Sequence, residues 1–374
     1  MRRLFANVAL CLGTLVAIFA IGEVLCRLLC RPPSGTVVDN FRSAPDGNGQ
    51  SLKAYRMPDN LFQYTTDGGV RLTPNANILV RNHHTSHRDI LIRTNELGFR
   101  SPAIAPKAGD ERRILVLGDS ITLADHVAEE ETYASRLEHY LRQTDPATRV
   151  INAGIGSVDI VQEAKILRES IDTIAPRTIV VGLYLNDGEL SANVLVRPLP
   201  GILGKSYFLG YFQRKWLIVR YRLMHRDEFE DANQTWLKEF VNGRELQETD
   251  FDYLVVKNAR DWGAAWNPAT WDIIERNLRE MREVAAAHGA RLAVILFPVR
   301  HQVEAASLHD TPQRYFAERM RELQLPHLDL LPLLRTAWRA DPGRQLYYDK
   351  CHFTAEGYDL VAQWMAPSVE RIGQ

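Results

Sequence analysis

The sequence predicts an α/β protein with three layers, α/β/α, around a mostly parallel five-stranded sheet. Three observations carry this. Apolar, strand-like runs occur at residues 114–117, 150–152, 178–183, 292–297 and 327–331. Helical patterns lie between them over 133–141, 162–171 and 271–288, the last ending at Gly289, a helix-stop residue. Strands separated by helices imply parallel strands covered on both faces. Finally, the polar residues suited to chemistry all follow strand-like runs. Ser120 follows the first, Asn152, Ala153 and Gly154 end the second, Asn186 and Asp187 follow the third, and Asp349 and His352 come after the last. In a doubly wound sheet these positions share the carboxyl edge, where ligands bind.

Taken in order, the chain opens differently. Arg2 and Arg3 precede an apolar, uncharged run over 4–21, Glu23 breaks it, and a weaker apolar tail fills 25–30. The run is about long enough to span a bilayer core. A cleavage site needs small residues just past that run, whereas positions 23–31 hold bulky or charged side chains. Residues 1–30 are therefore read as an uncleaved signal anchor, a transmembrane helix. Arg2 and Arg3 favour a cytoplasmic amino terminus, although Arg27 and Arg31 blunt the asymmetry. The rest of the chain is then expected on the extracytoplasmic, periplasmic side of the inner membrane. Of 4 cysteines, Cys11, Cys26 and Cys30 sit in or beside the apolar segment. Only Cys351 is left for the soluble part, so no disulfide can form within it.

Residues 31–51 are rich in Pro, Gly, Asp, Asn and Ser and read as a linker. Residues 52–111 read as a small β-rich segment packed on the main domain, with strand-like runs at 78–80 and 90–92 and a turn at Asp67, Gly68 and Gly69. His83, His84 and His87 fall between those runs. A solvated hairpin is expected there rather than a metal site. Residues 112–374 form the main domain, interrupted by an insertion at 190–270 that is far longer than an ordinary strand–helix connection. It carries Tyr207, Phe208, Tyr211, Phe212, Trp216, Tyr221, Trp236, Trp262 and Trp266, with Arg214, Lys215, Arg220 and Arg222 interleaved. A lid or substrate platform is expected. A satellite core and a membrane-facing surface are the other readings. Asn233, Gln234 and Thr235 match a glycosylation pattern too short to carry weight.

Charge excludes one class. Lys and Arg number 45 against 46 Asp and Glu, a net charge of -1. No global field draws in nucleic acid.

The chemistry concentrates in R-I-L-V-L-G-D-S-I-T, residues 113–122, a buried strand delivering Ser120 to a turn before a helix-like segment. With Asp349 and His352 downstream, the chain holds the parts that make a hydroxyl nucleophilic near neutral pH. The arrangement resembles the SGNH/GDSL-type hydrolases. Gly118, Asp119 and Ser120 match that family's first block, Gly154 the second, Asn186 and Asp187 the third, and Asp349-x-x-His352 the last. The resemblance covers about residues 112–370 and fits the membrane-anchored bacterial branch, in which a segment like residues 93–100, R-T-N-E-L-G-F-R, precedes the serine block. Ile121 replaces the usual leucine, and Tyr184 stands where the third block has glycine. The resemblance implies a flavodoxin-like SGNH hydrolase fold.

The expected roles follow. Ser120 attacks an acyl carbonyl, His352 takes its proton, and Asp349 holds the imidazole tautomer. The N–H groups of Ser120 and Gly154 and the Asn186 amide serve the oxyanion. Asp119 and Asp187 fix loops, and Cys351 points away from its neighbours. Neither metal nor cofactor is required. The chain is thus read as a serine-dependent acyl-ester hydrolase acting on O-acyl groups of an envelope or exported polysaccharide. Alternatives are a polysaccharide O-acetyltransferase with the same triad, a membrane-surface lipase or thioesterase, and a non-catalytic polysaccharide-binding component.

Overall fold

The computed structural model describes residues 2–29, 37–39, 61–64, 69–83, 85–189, 206, 208–209, 212, 248–259 and 261–373. Its centre is a five-stranded parallel sheet. The strands are β6 (Arg112–Gly118), β7 (Thr148–Asn152), β8 (Thr178–Tyr184), β9 (Arg291–Phe297) and β10 (His327–Asp329), laid side by side as β7-β6-β8-β9-β10. Counted from β6, this is the doubly wound order 2-1-3-4-5, whose switch point lies between β6 and β8. Leu115 of β6 sits level with Ile151 on one side and Ile179 on the other. Every residue of β8 is buried, because helices cover both faces.

One layer pairs α3 (Tyr133–Leu141) with the final helix, Ala355–Gly373; the other pairs α4 (Ile160–Ile174) with Pro268–Ala287. Their starts are capped as side-chain chemistry demands. Thr132 accepts the Ser135 N–H, Asp159 those of Val161 and Gln162, and Asn267 that of Ala269. Past Ala287 and the capping His288 comes Gly289, at φ 68°, a left-handed position that favours glycine. The last strand is shorter than its apolar run suggested. The Asp329 carboxylate accepts the Leu331 N–H, and Leu331 opens a helix with Pro332 in its first turn.

The leading β-rich segment builds a hairpin from β4 (Asn77–Arg81) and β5 (Ile90–Arg93), with a short pair, β2 (Phe62–Tyr64) and β3 (Val70–Leu72), beside it. Burial alternates along β4 and β5, as expected of strands with one buried face. Their inward residues, including Ile78, Val80, Ile90 and Ile92, belong to the same continuous core as the parallel sheet. Within the stretch read as a linker, β1 (Val37–Asp39) adds a parallel rung to β4. At the amino-terminal end, α1 (Arg2–Leu29) contains the span Leu10–Leu29, whose mean hydropathy of 2.0 makes it long and apolar enough to cross a membrane.

Beneath the carboxyl edge lies an unusual acid. Glu163, in the first turn of α4, is fully buried, and neither carboxylate oxygen has a hydrogen-bond partner. Burial, reinforced by the charges of Asp119 and Asp159, pushes its pKa well above the usual carboxylate value. The folded chain therefore keeps a proton on Glu163 that the unfolded chain releases above about pH 4.3. The Glu163 contribution to folding stability therefore falls as pH rises through and beyond that value. Glu163→Gln should flatten this decline, leaving the part due to Asp187, Asp119 and His352, whose folded values are also raised. Urea-unfolding midpoints at pH 5, 7 and 9 test it, and equal slopes in both proteins would contradict it.

Candidate active site

At the end of β6, Asp119 caps a single helical turn, Ser120–Leu123, by accepting the Ile121 N–H at 2.8 Å, and Ala124 closes it in a left-handed conformation. This turn lifts Ser120 out of the sheet edge. Asn152, ending β7, stitches the turn to its neighbour. Its Nδ2 donates to Thr122 O at 2.8 Å, and its Oδ1 accepts the Gly154 N–H at 2.9 Å. A Cβ on Gly154 would lie 2.3 Å from the Leu123 nitrogen, so only glycine permits this approach. Gly154 was expected to point its N–H at an oxyanion. That N–H is instead committed to Asn152, and what the glycine supplies is clearance for the serine turn.

The β8 end is fixed in the same manner. Asp187 accepts the Tyr184 N–H at 2.6 Å, and Tyr184 O accepts the Asp187 N–H at 3.1 Å. The Tyr184 side chain is buried in the core, and burial raises its phenol well above the usual value. Asn186 lies in this turn. Its Nδ2 donates to Asp261 Oδ1 at 3.2 Å, while its own Oδ1 has no partner.

Asp349 and His352 lie in a tight turn pinched by the Tyr347–Phe353 bridge, before the final helix that Thr354 caps. One oxygen of Asp349 accepts the backbone N–H groups of Cys351 and His352, at 2.9 and 2.7 Å. The other accepts His352 Nδ1–H at 2.6 Å. A carboxylate only accepts, so this bond sets the tautomer and leaves Nε2 free to accept. It faces Ser120 Oγ at 3.0 Å. Ser120, His352 and Asp349 thus form one continuous hydrogen-bonded chain. The His352 side chain is 20% exposed, so the chain opens to solvent.

Electrostatics follow the contacts. Burial alone would raise Asp349, but the adjoining imidazole and three N–H donors hold it well below the usual carboxylate range. Burial alone would lower His352, but the Asp349 charge outweighs it and raises the imidazole well above its usual value. Cys351 does not point away as expected. Its Sγ is 3.7 Å from His352 Nδ1, and burial pushes the thiol up to about 11, which keeps it protonated.

Further residues, with little signal in the sequence, support the site from behind. Arg100, buried, donates to the carbonyls of Leu123 at 3.0 Å, Val127 at 2.7 Å and Ala124, fixing the loop behind the serine turn. The only advance signal was its place at the end of the 93–100 segment. On that loop, the His126 ring lies 4.9 Å from the His352 ring, and its Nε2 donates to Phe353 O at 3.0 Å. Burial pushes His126 down to about 4, so it stays neutral beside His352. Asp125 lies between His126 and His83, at 3.7 and 3.6 Å. The solvated-hairpin expectation therefore fits His87, which is exposed, but not His83, which is buried against Asp125. His84 lies outside the described residues.

So do Tyr207, Tyr211, Trp216, Tyr221, Trp236, Arg214, Lys215, Arg220, Arg222 and the 233–235 pattern. Among the described residues of the insertion, Trp262 is buried and Trp266 partly so. Both pack on Phe251, which stacks on His309 with ring centroids 3.6 Å apart. At this end the aromatics form a satellite core and are not presented to a ligand.

No protein-family model and no curated protein matches the chain. Among solved structures it is similar to TesA, at 15% identity and TM-score 0.39, over 70% of this chain and 99% of that one. It is also similar to a catalytic mutant of Axe2, an acetylxylan esterase from Geobacillus stearothermophilus, at 12% identity and TM-score 0.42, over 71% and 96%. A third is a two-domain esterase, CEX, active on acetylated mannans, at 15% identity and TM-score 0.41, over 72% of this chain and 51% of that one. The site itself rests on its own geometry.

The raised His352 sets a pH dependence. Only neutral imidazole accepts a proton from Ser120. The rate at which a fluorophosphonate labels Ser120 should rise with pH through a midpoint above 6.5, the usual imidazole value. In Asp349→Asn the charge that raises His352 is gone while burial remains. The midpoint should then move below that of the parent, with the maximal rate down on the order of 10⁴-fold. An unshifted midpoint in the variant would show that Asp349 does not set the histidine.

Proposed function

We propose that the chain is a serine-dependent acyl-ester hydrolase. The observation that carries this reading is the unbroken path from Asp349 Oδ2 through His352 to Ser120 Oγ, at 2.6 and 3.0 Å. Ser120 Oγ attacks the ester carbonyl carbon and its proton passes to His352 Nε2. Asp349 stabilises the imidazolium that forms. The negative charge moves to the former carbonyl oxygen, where the Ser120 N–H and the Asn186 amide serve as donors. As the tetrahedral adduct collapses, the alkoxide leaves with the proton from His352. Water, deprotonated by the same imidazole, then releases the acid and restores Ser120. None of these steps calls on a metal or a cofactor.

The proposed setting is outside the cytoplasm, with Leu10–Leu29 as a membrane anchor and the domain on the periplasmic side. Two features support an acylated envelope or exported polysaccharide as substrate. The His352 side chain is partly exposed, at 20%, which suits an ester carried on a larger molecule. The anchor would hold the domain where such polymers are assembled. The proposed organisation is an anchor at 1–30, a linker at 31–51, a β-rich segment at 52–111, and the catalytic domain at 112–374 with its insertion at 190–270.

Full-length protein in detergent micelles tests the reading. Wild type should gain one fluorophosphonate adduct by mass, turn over a short aryl acetate, and release free acetate from an acetylated oligosaccharide. Ser120→Ala should lose the adduct and at least about 10³-fold of the turnover. Folded wild type that neither labels nor turns over would leave a binding role as the better account. Acetyl transfer to an added oligosaccharide in place of free acetate would make it a transferase.

A further inference from the structure

Asp261 stands at the start of the one-turn 3-10 helix Trp262–Trp266, where the insertion rejoins the main domain. Aspartate in such a position ordinarily caps the helix with its side chain. Asp261 makes no capping bond. Its carboxylate turns instead to the candidate active site. Oδ1 accepts Asn186 Nδ2 at 3.2 Å, and Oδ2 pairs with the Lys350 ammonium. The backbone that carries it is held firmly. The Asp261 N–H donates to Asn258 O at 2.8 Å, and the next residue, Trp262, is fully buried.

The amide of Asn186 has two ends that differ in chemistry and hardly in shape. For an oxyanion donor, the NH₂ end must face the site. Asn186 Oδ1 has no partner that would hold it. A carboxylate accepts only, so Asp261 allows one orientation, with the NH₂ toward itself. One N–H is then used by Asp261 and the other remains for a ligand. A bare carboxylate there would also repel a developing oxyanion. Lys350 offsets that charge, and it sits between Asp349 and Cys351 on the turn that carries the acid and the histidine. The Lys350 carbonyl is itself fixed by the Arg300 N–H at 2.8 Å.

We propose that Asp261 is a positioning residue that orients the Asn186 amide for oxyanion binding and, through Lys350, ties the insertion to the acid–histidine turn. This rests on the serine-hydrolase reading above. The same contact has a rival meaning, in which the carboxylate occupies the oxyanion position and obstructs it. The two make opposite predictions.

Aryl acetate kinetics on full-length protein in micelles separate them, using Asp261→Ala, Asp261→Asn, Asn186→Ala and the Asn186→Ala/Asp261→Ala double variant. Loss of an oxyanion donor costs about 10²–10³ in kcat. Asp261→Ala should therefore lose about 10–100-fold in kcat with KM within about twofold. Asp261→Asn, which keeps an acceptor in place, should recover most of that loss and covers the case in which the alanine variant misfolds. In the Asn186→Ala background, Asp261→Ala should add less than about twofold, because there is no amide left to orient. Equal losses in both backgrounds, a change confined to KM, an unchanged kcat, or a faster Asp261→Ala would each overturn the proposal. Wild type without Ser120-dependent turnover, or Asn186→Ala with wild-type kcat, would overturn the oxyanion reading itself and this inference with it.

Discussion

The burial of β6 and β8 on both faces is the constraint from which the site follows. Strands covered by helices on each side have no room for polar side chains along their length, and the β8 pattern is buried throughout. Polar chemistry is displaced to the strand ends. There the chain must leave the sheet in sharp turns whose N–H groups would otherwise be stranded. The same device answers at each turn. Asp119 accepts the Ile121 N–H, Asn152 the Gly154 N–H, Asp187 the Tyr184 N–H, and Asp349 those of Cys351 and His352. Short carboxyl and amide side chains suit this because they reach their own loop backbone without crossing space. The turns that carry Ser120, Asn186 and His352 are fixed before any of those side chains does anything else.

These acids are chemically alike, yet their environments drive them in opposite directions. Asp349 is surrounded by donors and an imidazole, so its charged form is favoured despite burial. Glu163 and Asp187 are buried near other acids, and both are pushed upward. Asp119 reaches about 6, although it accepts the Ile121 N–H. Asp125, between His83 and His126, is likewise held well below the usual carboxylate range. Acids beside an imidazole keep their negative charge, whereas Glu163, Asp187 and Asp119, buried near one another, are biased toward their neutral forms.

Much of this was legible in the sequence because it is local. Strand runs, helix stops and the residues just past each strand are set by neighbours within a few positions. The parallel order then carries those residues to one edge, so Ser120, Asn186, Asp349 and His352 were foreseeable as a group. What was missed is of two kinds: contacts between residues distant in sequence, and the local curl of loops, which residue types alone do not set. His83 looked like part of a solvated hairpin because its burial depends on Asp125, which lies on a loop of another strand's end. The capture of the Gly154 N–H by Asn152 depends on how the loop curls, which the residue types alone do not show. Cys351, between Asp349 and His352 in sequence, is expected to point elsewhere, whereas the bond of its N–H to Asp349 goes with a thiol beside the ring. The end of β10 was overrun because an apolar sequence reads alike as strand or as the buried face of a helix.

Those distant contacts also explain why the parts outside the parallel sheet belong to the site's construction. Arg100 comes from the β-rich segment, yet its guanidinium is spent on three carbonyls of the loop behind Ser120. A buried arginine is costly unless its donors are used; here both terminal nitrogens are, the Nε is not, and burial lowers the affinity for the proton without removing it. Its planar fork spans Leu123, Ala124 and Val127 together, which one compact ammonium cannot do. The loop so held carries His126, whose ring packs against that of His352 and whose Nε2 donates to the carbonyl of Phe353, the residue next to the catalytic candidate. The histidine is therefore positioned from two directions: from its own turn through Asp349, and from the β-rich segment through Arg100, the 123–127 loop and His126. Removing that segment would leave Ser120, His352 and Asp349 in the chain but take away one of the two supports that hold the histidine.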